Sequence, residues 1–230
     1  QDWTDALRAL APDTMLLHLQ TPRTNRLRFL AGQSVTLGRA GSASTGGDDI
    51  RATLPVASCP CDDRNLHFFI ARDADSAFAR LVFDGALAVG DPINVWGPVG
   101  EFVLAESHRP LVFAACDTGF APIKSLIEHA LSLDAAPSLS LYWLATRSDG
   151  HFQANQCRAW SAALDAFEYA AFTELDPAAG AQQVAAAIRA DQFDIDCDFY
   201  LAGPQAFVSA LGQALLQAGV PAAQIASEVL

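Results

Sequence analysis

A short apolar run that leads directly into a Thr-Gly turn and then a helix is the part of this sequence best suited to chemistry. Residues 111–116 form the apolar run, Thr118-Gly119 form the turn, and Pro122 opens a predicted helix. Such a turn can hold a pyrophosphate, because glycine lets the backbone approach closely and the first N–H groups of a helix are free. The run is therefore the first candidate for a nucleotide-binding loop.

The composition limits which partners the chain can have. Of its 230 residues, 51% are hydrophobic and 17% are charged, which is typical of a well-buried globular protein. The net charge of −12 argues against nucleic acid or an anionic membrane surface and would suit a partner with a basic docking face. The same charge is also compatible with an acidic surface that only keeps the protein in solution. No apolar run reaches the ~18 residues that a membrane span needs.

The cysteines predict a reduced, cytoplasmic protein without a metal. There are five of them, an odd and scattered set, which indicates free thiols rather than a disulfide framework. The one close pair is Cys59-Pro60-Cys61, which has neither the spacing of an iron–sulfur site nor enough ligands for zinc.

The first half of the chain has the pattern of short strands, and the second half alternates strands with helices. In the first half we predict one helix at 77–87, a turn-rich stretch at 41–49, and strands at 15–20, 34–37, 66–70 and 92–96. The second half has predicted strands at 111–115, 138–145, 168–172 and 198–201, and helices at 122–133, 159–166, 182–190 and 205–218. The patterns predict an antiparallel barrel over residues 1–107 and a parallel α/β domain over residues 108–230.

Five motifs follow one another along nearly the whole chain. They are Phe29-Leu30-Ala31-Gly32-Gln33, Gly97-Pro98-Val99-Gly100-Glu101-Phe102, Thr118-Gly119-Phe120-Ala121-Pro122, Cys157-Arg158-Ala159-Trp160 and Tyr200-Leu201-Ala202-Gly203-Pro204. In this order they resemble the ferredoxin–NADP reductase family, particularly CDP-6-deoxyglucoseen reductases and oxygenase-reductase components. The resemblance implies a six-stranded antiparallel barrel of the FAD-binding type and a Rossmann-like domain of the NAD(P)-binding type. It also implies transfer of electrons from NAD(P)H through FAD to an iron–sulfur carrier.

The resemblance places ten residues at cofactor-binding positions and assigns no catalytic residue and no metal ligand. On the flavin side these residues are Leu54, Val56, Ala57, Ser58 and Phe78. On the nicotinamide side they are Thr118, Gly119, Pro122, Gly203 and Pro204.

The flavin-binding motifs of the family are altered in this chain. Its R-x-Y-S-x-A-S aligns so that Ala52, Leu54 and Pro55 replace the arginine, tyrosine and serine. Arg51 lies one residue too early, and in a strand that shift turns a side chain to the opposite face. At the following helix, residues 76–79 lack the family's glycine and hydroxyl, although a helix N-terminus remains to attract an anion.

The nicotinamide-binding motifs are altered as well. Asp117 replaces the first glycine of the family's G-T-G-x-A-P, so a carboxylate is expected where a diphosphate would lie. Ala202 replaces the cysteine of the family's C-G-P, which lies near the site of hydride transfer.

These changes favour a protein that keeps the fold and has impaired or lost binding of FAD and NAD(P)H. It would carry no cofactor and act as an accessory or interaction subunit, with a redox or oxygenase component as its protein partner. The alternative is an active FAD-dependent NAD(P)H oxidoreductase that passes electrons to an iron–sulfur or oxygenase partner. A third hypothesis is a binding module for a less anionic ligand.

Overall fold

A computed structural model describes residues 2–41, 47 and 49–230. The chain divides into two compact units, Gln1–Val103 with Lys124–His129, and Leu104–Ile123 with Ala130–Leu230. Most of the predicted turn at 41–49 lies outside the described residues. The division at 107/108 stays a prediction.

The first unit is built on a six-stranded sheet and one short helix. Its elements are β1 (Asp2–Ala11), β2 (Thr14–Gln20), β3 (Ser34–Arg39), β4 (Ile50–Pro55), β5 (Asn65–Ala71), α1 (Ala77–Phe83) and β6 (Pro92–Val99). The strands pair antiparallel in the order β4-β3-β6-β1-β2-β5. Beyond the end of β4, the Ala57 N–H donates to the His67 carbonyl of β5, which links the two outer strands of the sheet.

Alternating apolar residues direct one face of these strands into a common core. Leu17, Leu37 and Phe68 are fully buried there. Helix α1 adds Phe78 and Val82 to the same core. Burying alternate residues of each strand is what fixes the strand register, because a shift of one residue would expose the whole apolar set.

The second unit contains a five-stranded parallel sheet, three helices and the two ends of a fourth helix, whose middle residues Lys124–His129 belong to the first unit. Its strands and helices are β7 (Leu111–Cys116), α2 (Phe120–Leu133), β8 (Leu139–Ala145), α3 (Ala154–Ala163), β9 (Phe167–Thr173), α4 (Pro177–Asp191), β10 (Asp198–Gly203), α5 (Gln205–Gln217) and β11 (Ile225–Val229). The strand order is β11-β10-β7-β8-β9. Strands β7, β8 and β10 are buried along their whole length, as expected when helices cover both faces of a sheet.

The predicted fold class, an antiparallel sheet followed by a parallel α/β sheet, is confirmed. Some predicted boundaries were wrong. Helix α1 ends at Phe83 rather than at residue 87, since Gly85 has φ of 73° and cannot continue a helix. Helix α3 begins at Ala154, five residues before its predicted start. Within the part of the chain that the structure describes, no helix is long and apolar enough to cross a membrane.

Candidate functional site

The Thr-Gly turn lies at the carboxyl end of β7, between that strand and α2. Asp117, Thr118 and Gly119 form a single 3-10 turn before the helix begins at Phe120. Asp117 has φ of 51°, a left-handed conformation that favours glycine and that aspartate tolerates better than most residues. Asp117, which replaces the first glycine of the family's motif, thus keeps a backbone conformation that is typical of glycine.

The Asp117 carboxylate is held by the neighbouring strand. Its Oδ1 accepts the backbone N–H of Thr146 at 2.8 Å, and its Oδ2 accepts the Thr146 hydroxyl at 2.5 Å. The Asp117 carbonyl oxygen also accepts the indole N–H of Trp143 at 3.1 Å. An N–H group at the carboxyl end of a parallel strand is therefore paired with a side-chain anion of the protein itself.

Two glycines of the predicted nicotinamide site lie against each other. A Cβ built on Gly119 would come within 2.2 Å of the Ala202 carbonyl oxygen and 2.8 Å of the Gly203 nitrogen. Gly203 has φ of 152°, and a Cβ there would meet the Cβ of Cys116 at 2.8 Å. Both glycines are therefore required by packing within the protein, whether or not a ligand is bound.

The remaining predicted nicotinamide residues flank these glycines. Thr118 is partly buried in the turn, and Pro122 is buried in the first turn of α2. Pro204 precedes α5 as its N-terminal cap residue. Cys116 is fully buried, and its burial, together with the adjacent Asp117 carboxylate, raises the pKa of its thiol well above the usual range. A thiol with such a pKa is not a nucleophile at neutral pH.

On the flavin side, strand β4 places its polar residues outward. Arg51 and Thr53 are exposed, whereas Ala52 and Leu54 pack partly buried against the core of the first unit. The strand pairs with β3 without a bulge, so this alternation runs through its whole length. Arg51 does lie on the opposite face from Ala52 and Leu54, as predicted. The face that carries Arg51, however, is the one open to solvent.

The Arg51 side chain already has partners on that face. Its guanidinium lies 4.6 Å from the centroid of the Trp96 ring and 3.3 Å from the Asp49 carboxylate. A Cβ at Gly38 would come within 2.6 Å of the same indole, so the glycine makes room for Trp96 on the sheet. The side chain of Trp96, on β6, is 42% exposed.

The segment after β4 is buried and held by polar contacts. Val56 and Ala57 are fully buried, and Ser58 is 6% exposed. The Ser58 carbonyl accepts the Ser125 hydroxyl at 2.8 Å, and the Ala57 carbonyl accepts the Lys124 ammonium at 3.3 Å. Lys124 also pairs with Glu128 at 2.7 Å. These contacts lie within the first unit and hold the backbone of two predicted cofactor residues, Ala57 and Ser58.

The start of α1 offers less to an anion than the sequence indicated. The Ser76 hydroxyl oxygen caps the helix by accepting the Ala79 N–H at 3.1 Å, so this donor is already occupied. Phe78 is 1% exposed and belongs to the core of the first unit, as does Val56. The side chains of Phe78 and Val56 therefore contribute packing, and only their backbone could face a cofactor.

The prediction that all five cysteines are reduced was wrong for one pair. Cys59 and Cys61 form a disulfide, with their Cα atoms 5.2 Å apart. Cys116, Cys157 and Cys197 are buried and form no disulfide. Among the described residues, no group of three or more histidine, cysteine or acidic side chains could hold a metal ion.

Sequence reasoning missed the residues that complete these sites. Thr146 and Lys124 form their contacts with residues 29 and 67 positions away in the chain. A local sequence pattern cannot reveal contacts between residues so far apart in the chain, because such contacts depend on which elements the fold brings together.

Comparison with known proteins gives several relatives and structural neighbours, although no protein-family model matches the chain. The toluate 1,2-dioxygenase electron transfer component of Pseudomonas putida is 28% identical over 217 residues, 93% of this chain and 62% of that protein. The CDP-6-deoxy-L-threo-D-glycero-4-hexulose-3-dehydrase reductase of Yersinia pestis is 27% identical over 139 residues, 60% of this chain and 40% of that protein. The chain thus spans about 40–60% of the length of these relatives.

Among solved structures, the Amycolatopsis cytochrome P450 reductase superposes with a TM-score of 0.84 at 21% identity. The match covers 99% of this chain and 68% of that one. At this identity the likeness shows a shared fold.

Proposed function

We propose that this chain, whose relatives and structural neighbours are ferredoxin reductase-like FAD- and NAD-binding proteins, is an accessory component of an oxygenase or related electron-transfer system. In this proposal its binding of NAD(P)H and FAD is weakened, and its partner is another protein of the redox system. The observation that carries the proposal is the Asp117 carboxylate, held by Thr146 at the carboxyl end of the parallel sheet.

Charge is the reason that Asp117 opposes a dinucleotide. Two like charges about 4 Å apart repel by roughly 4 kcal/mol at an effective dielectric constant of 20, and surrounding water and salt reduce that figure. Asp117 also takes up the N–H and the hydroxyl of Thr146, two donors that a phosphate could otherwise use. These residues therefore do not fit a bound diphosphate.

The flavin side supports the same proposal. Pro55 has no backbone N–H to give, and the Ala79 N–H at the start of α1 is occupied by Ser76. Arg51, the nearest cation to the expected phosphate position in the sequence, lies over Trp96 and beside Asp49. A flavin phosphate would have to displace those contacts.

A second candidate function is an active FAD-dependent NAD(P)H oxidoreductase that reduces an iron–sulfur or oxygenase partner. It is favoured by the exposure of Arg51 and Thr53 on β4, which presents a guanidinium and a hydroxyl on one accessible face. The similarity to the toluate 1,2-dioxygenase electron transfer component over 93% of the chain also favours it. In this case backbone contacts would replace the missing side chains.

A visible absorption spectrum distinguishes the two functions. The protein is measured as purified, and again after incubation with excess FAD and desalting. We expect no flavin band in either sample. A retained flavin band that NADH or NADPH bleaches would overturn the accessory role and support the reductase.

A further inference from the structure

The Cys59–Cys61 disulfide joins a buried cysteine to an exposed one. Cys59 is 7% exposed, whereas Cys61 is exposed to solvent. The backbone N–H of Cys61 donates to the Cys59 Sγ at 3.3 Å. Only Pro60 separates the two cysteines, so the crosslink closes a very short loop and removes little freedom from the unfolded chain. Little of the unit's stability depends on this bond.

The backbone on the N-terminal side of the disulfide is fixed by other contacts. The Ser58 Oγ accepts the His67 N–H at 3.2 Å, and the Ala57 N–H donates to the His67 carbonyl at 2.8 Å. The Ser58 carbonyl accepts the Ser125 hydroxyl. Because the chain is anchored up to Ser58, the S–S bond can open while strand β5 and its neighbours stay in place.

We propose that Cys59–Cys61 is a thiol–disulfide exchange site that a dithiol reductant opens and a disulfide oxidant closes in the folded protein. A thiolate of the reductant attacks the Cys61 Sγ, the Cys59–Cys61 bond breaks, and Cys59 leaves as a thiolate that then takes a proton. The second thiolate of the reductant attacks its own sulfur in the mixed disulfide and releases Cys61. In sum, two electrons and two protons move to the protein, and the dithiol becomes a disulfide.

The structure assigns the direction of attack. Cys61 is the residue that an external thiolate can reach, because Cys59 is shielded from solvent. Cys59 is the better leaving group, because the Cys61 N–H can stabilise negative charge on its sulfur. The other three cysteines are buried, so they do not compete for a bulky reagent.

The test labels the thiols of the folded wild-type chain. The protein is treated with dilute dithiothreitol, alkylated without denaturant and mapped by peptide mass spectrometry; a second portion is first re-oxidised with oxidised glutathione. We expect the exposed Cys61 to be labelled after reduction and protected after re-oxidation, with the buried Cys59 labelled more slowly and an unchanged circular dichroism spectrum. The proposal fails if the pair opens only in denaturant, or if oxidised glutathione never closes it.

A matched pair of variants tests the assigned direction. Cys59→Ser leaves the exposed Cys61, and Cys61→Ser leaves the buried Cys59. We expect the Cys59→Ser protein to react with Ellman's reagent at least about tenfold faster than the Cys61→Ser protein. Equal rates in two folded variants would contradict the assignment of Cys61 as the attacked residue.

Discussion

The hydroxyl of Ser125 donates a 2.8 Å hydrogen bond to the carbonyl oxygen of Ser58, and both residues are buried. Ser125→Ala leaves that carbonyl without this donor. We expect the free energy of unfolding to fall by about 1–2 kcal/mol, measured by urea denaturation. Ser209→Ala, at an exposed position on α5, is the control and should change stability by less than about 0.5 kcal/mol. Equal effects of the two substitutions would contradict a structural role for the buried bond.

The contact between Asp117 and Thr146 can be tested from the threonine side. Thr146→Val keeps the backbone N–H and removes the hydroxyl that Oδ2 accepts. Since hydrogen bonds to a charged group are stronger than neutral ones, we expect a loss of about 1–3 kcal/mol in urea unfolding. Thr53→Val removes a neutral, exposed hydroxyl pair with Thr36 and should cost less than about 1 kcal/mol. If Thr146→Val lowers the free energy of unfolding no more than Thr53→Val does, Thr146 does not hold the Asp117 carboxylate in place.

The charge of Asp117 should decide how tightly a dinucleotide binds. Asp117→Asn keeps the shape and tolerates the left-handed backbone, and Asp117→Gly restores the family's residue. By calorimetric titration with NADH and NADPH at fixed ionic strength, we expect both variants to bind at least about tenfold more tightly than the wild type. If neither variant gains affinity, repulsion by Asp117 is not what weakens binding.

Gly119 and Gly212 form a matched pair for testing the tightness of the turn. A Cβ on Gly119 would lie 2.2 Å from the Ala202 carbonyl oxygen, whereas on Gly212, inside α5, the nearest atom lies at 3.8 Å. We expect Gly119→Ala to destabilise the protein by about 1–3 kcal/mol, because the added methyl group would collide with backbone atoms that cannot move aside. Gly212→Ala should stabilise it by about 0.5–1 kcal/mol through helix propensity. Thermal melts of the two variants that shift in the same direction would argue against this placement of the turn.

His67 should make the first unit sensitive to acid. Burial, followed by electrostatic interaction with His18 and Lys124, lowers the pKa of His67 from 6.5 to about 4. As the pH falls, the unfolded chain therefore takes up this proton before the folded chain does. The stability that comes from neutral His67 is fully present above pH 6.5 and is lost as the pH falls from 6.5 towards 4. The slope from this one group is at most about 1.4 kcal/mol per pH unit.

His67→Gln should accordingly flatten the dependence of unfolding free energy on pH between 6.5 and 4. His108→Gln, at an exposed position, should leave the slope unchanged. Urea unfolding of the three proteins at several pH values in this range measures the difference. If the unfolding free energies of the wild type and of His67→Gln change in parallel with pH, His67 is not the source of the acid sensitivity.

The parallel sheet could be predicted from the sequence because its central strands are mostly apolar runs. Leu111–Cys116 and Leu139–Ala145 are buried at every position, a pattern that needs no knowledge of the partner strands. Strand β1 was missed for the opposite reason. Its sequence is rich in alanine, and only two of its ten residues are buried, so it has no clear alternation of apolar and polar side chains.

The candidate site was predictable only in part. The turn at Thr118-Gly119 follows from local residue types, whereas the contact between Gly119 and the backbone of Gly203 was found only in the structure. The role of Arg51 could not be settled from the sequence, because it depends on which face of β4 the core covers. The disulfide was missed because a cysteine count does not show which sulfurs the chain brings together.

The inclusion of Lys124–His129 in the first unit has a consequence for synthesis on the ribosome. The strands of that unit are all made by residue 99, yet the donors for the Ala57 and Ser58 carbonyls come from Lys124 and Ser125. A nascent chain that has emerged only as far as Val103 therefore exposes an unfinished surface around these carbonyls. Completion of the N-terminal unit must wait until part of α2 leaves the exit tunnel, which couples its folding to translation of the second half.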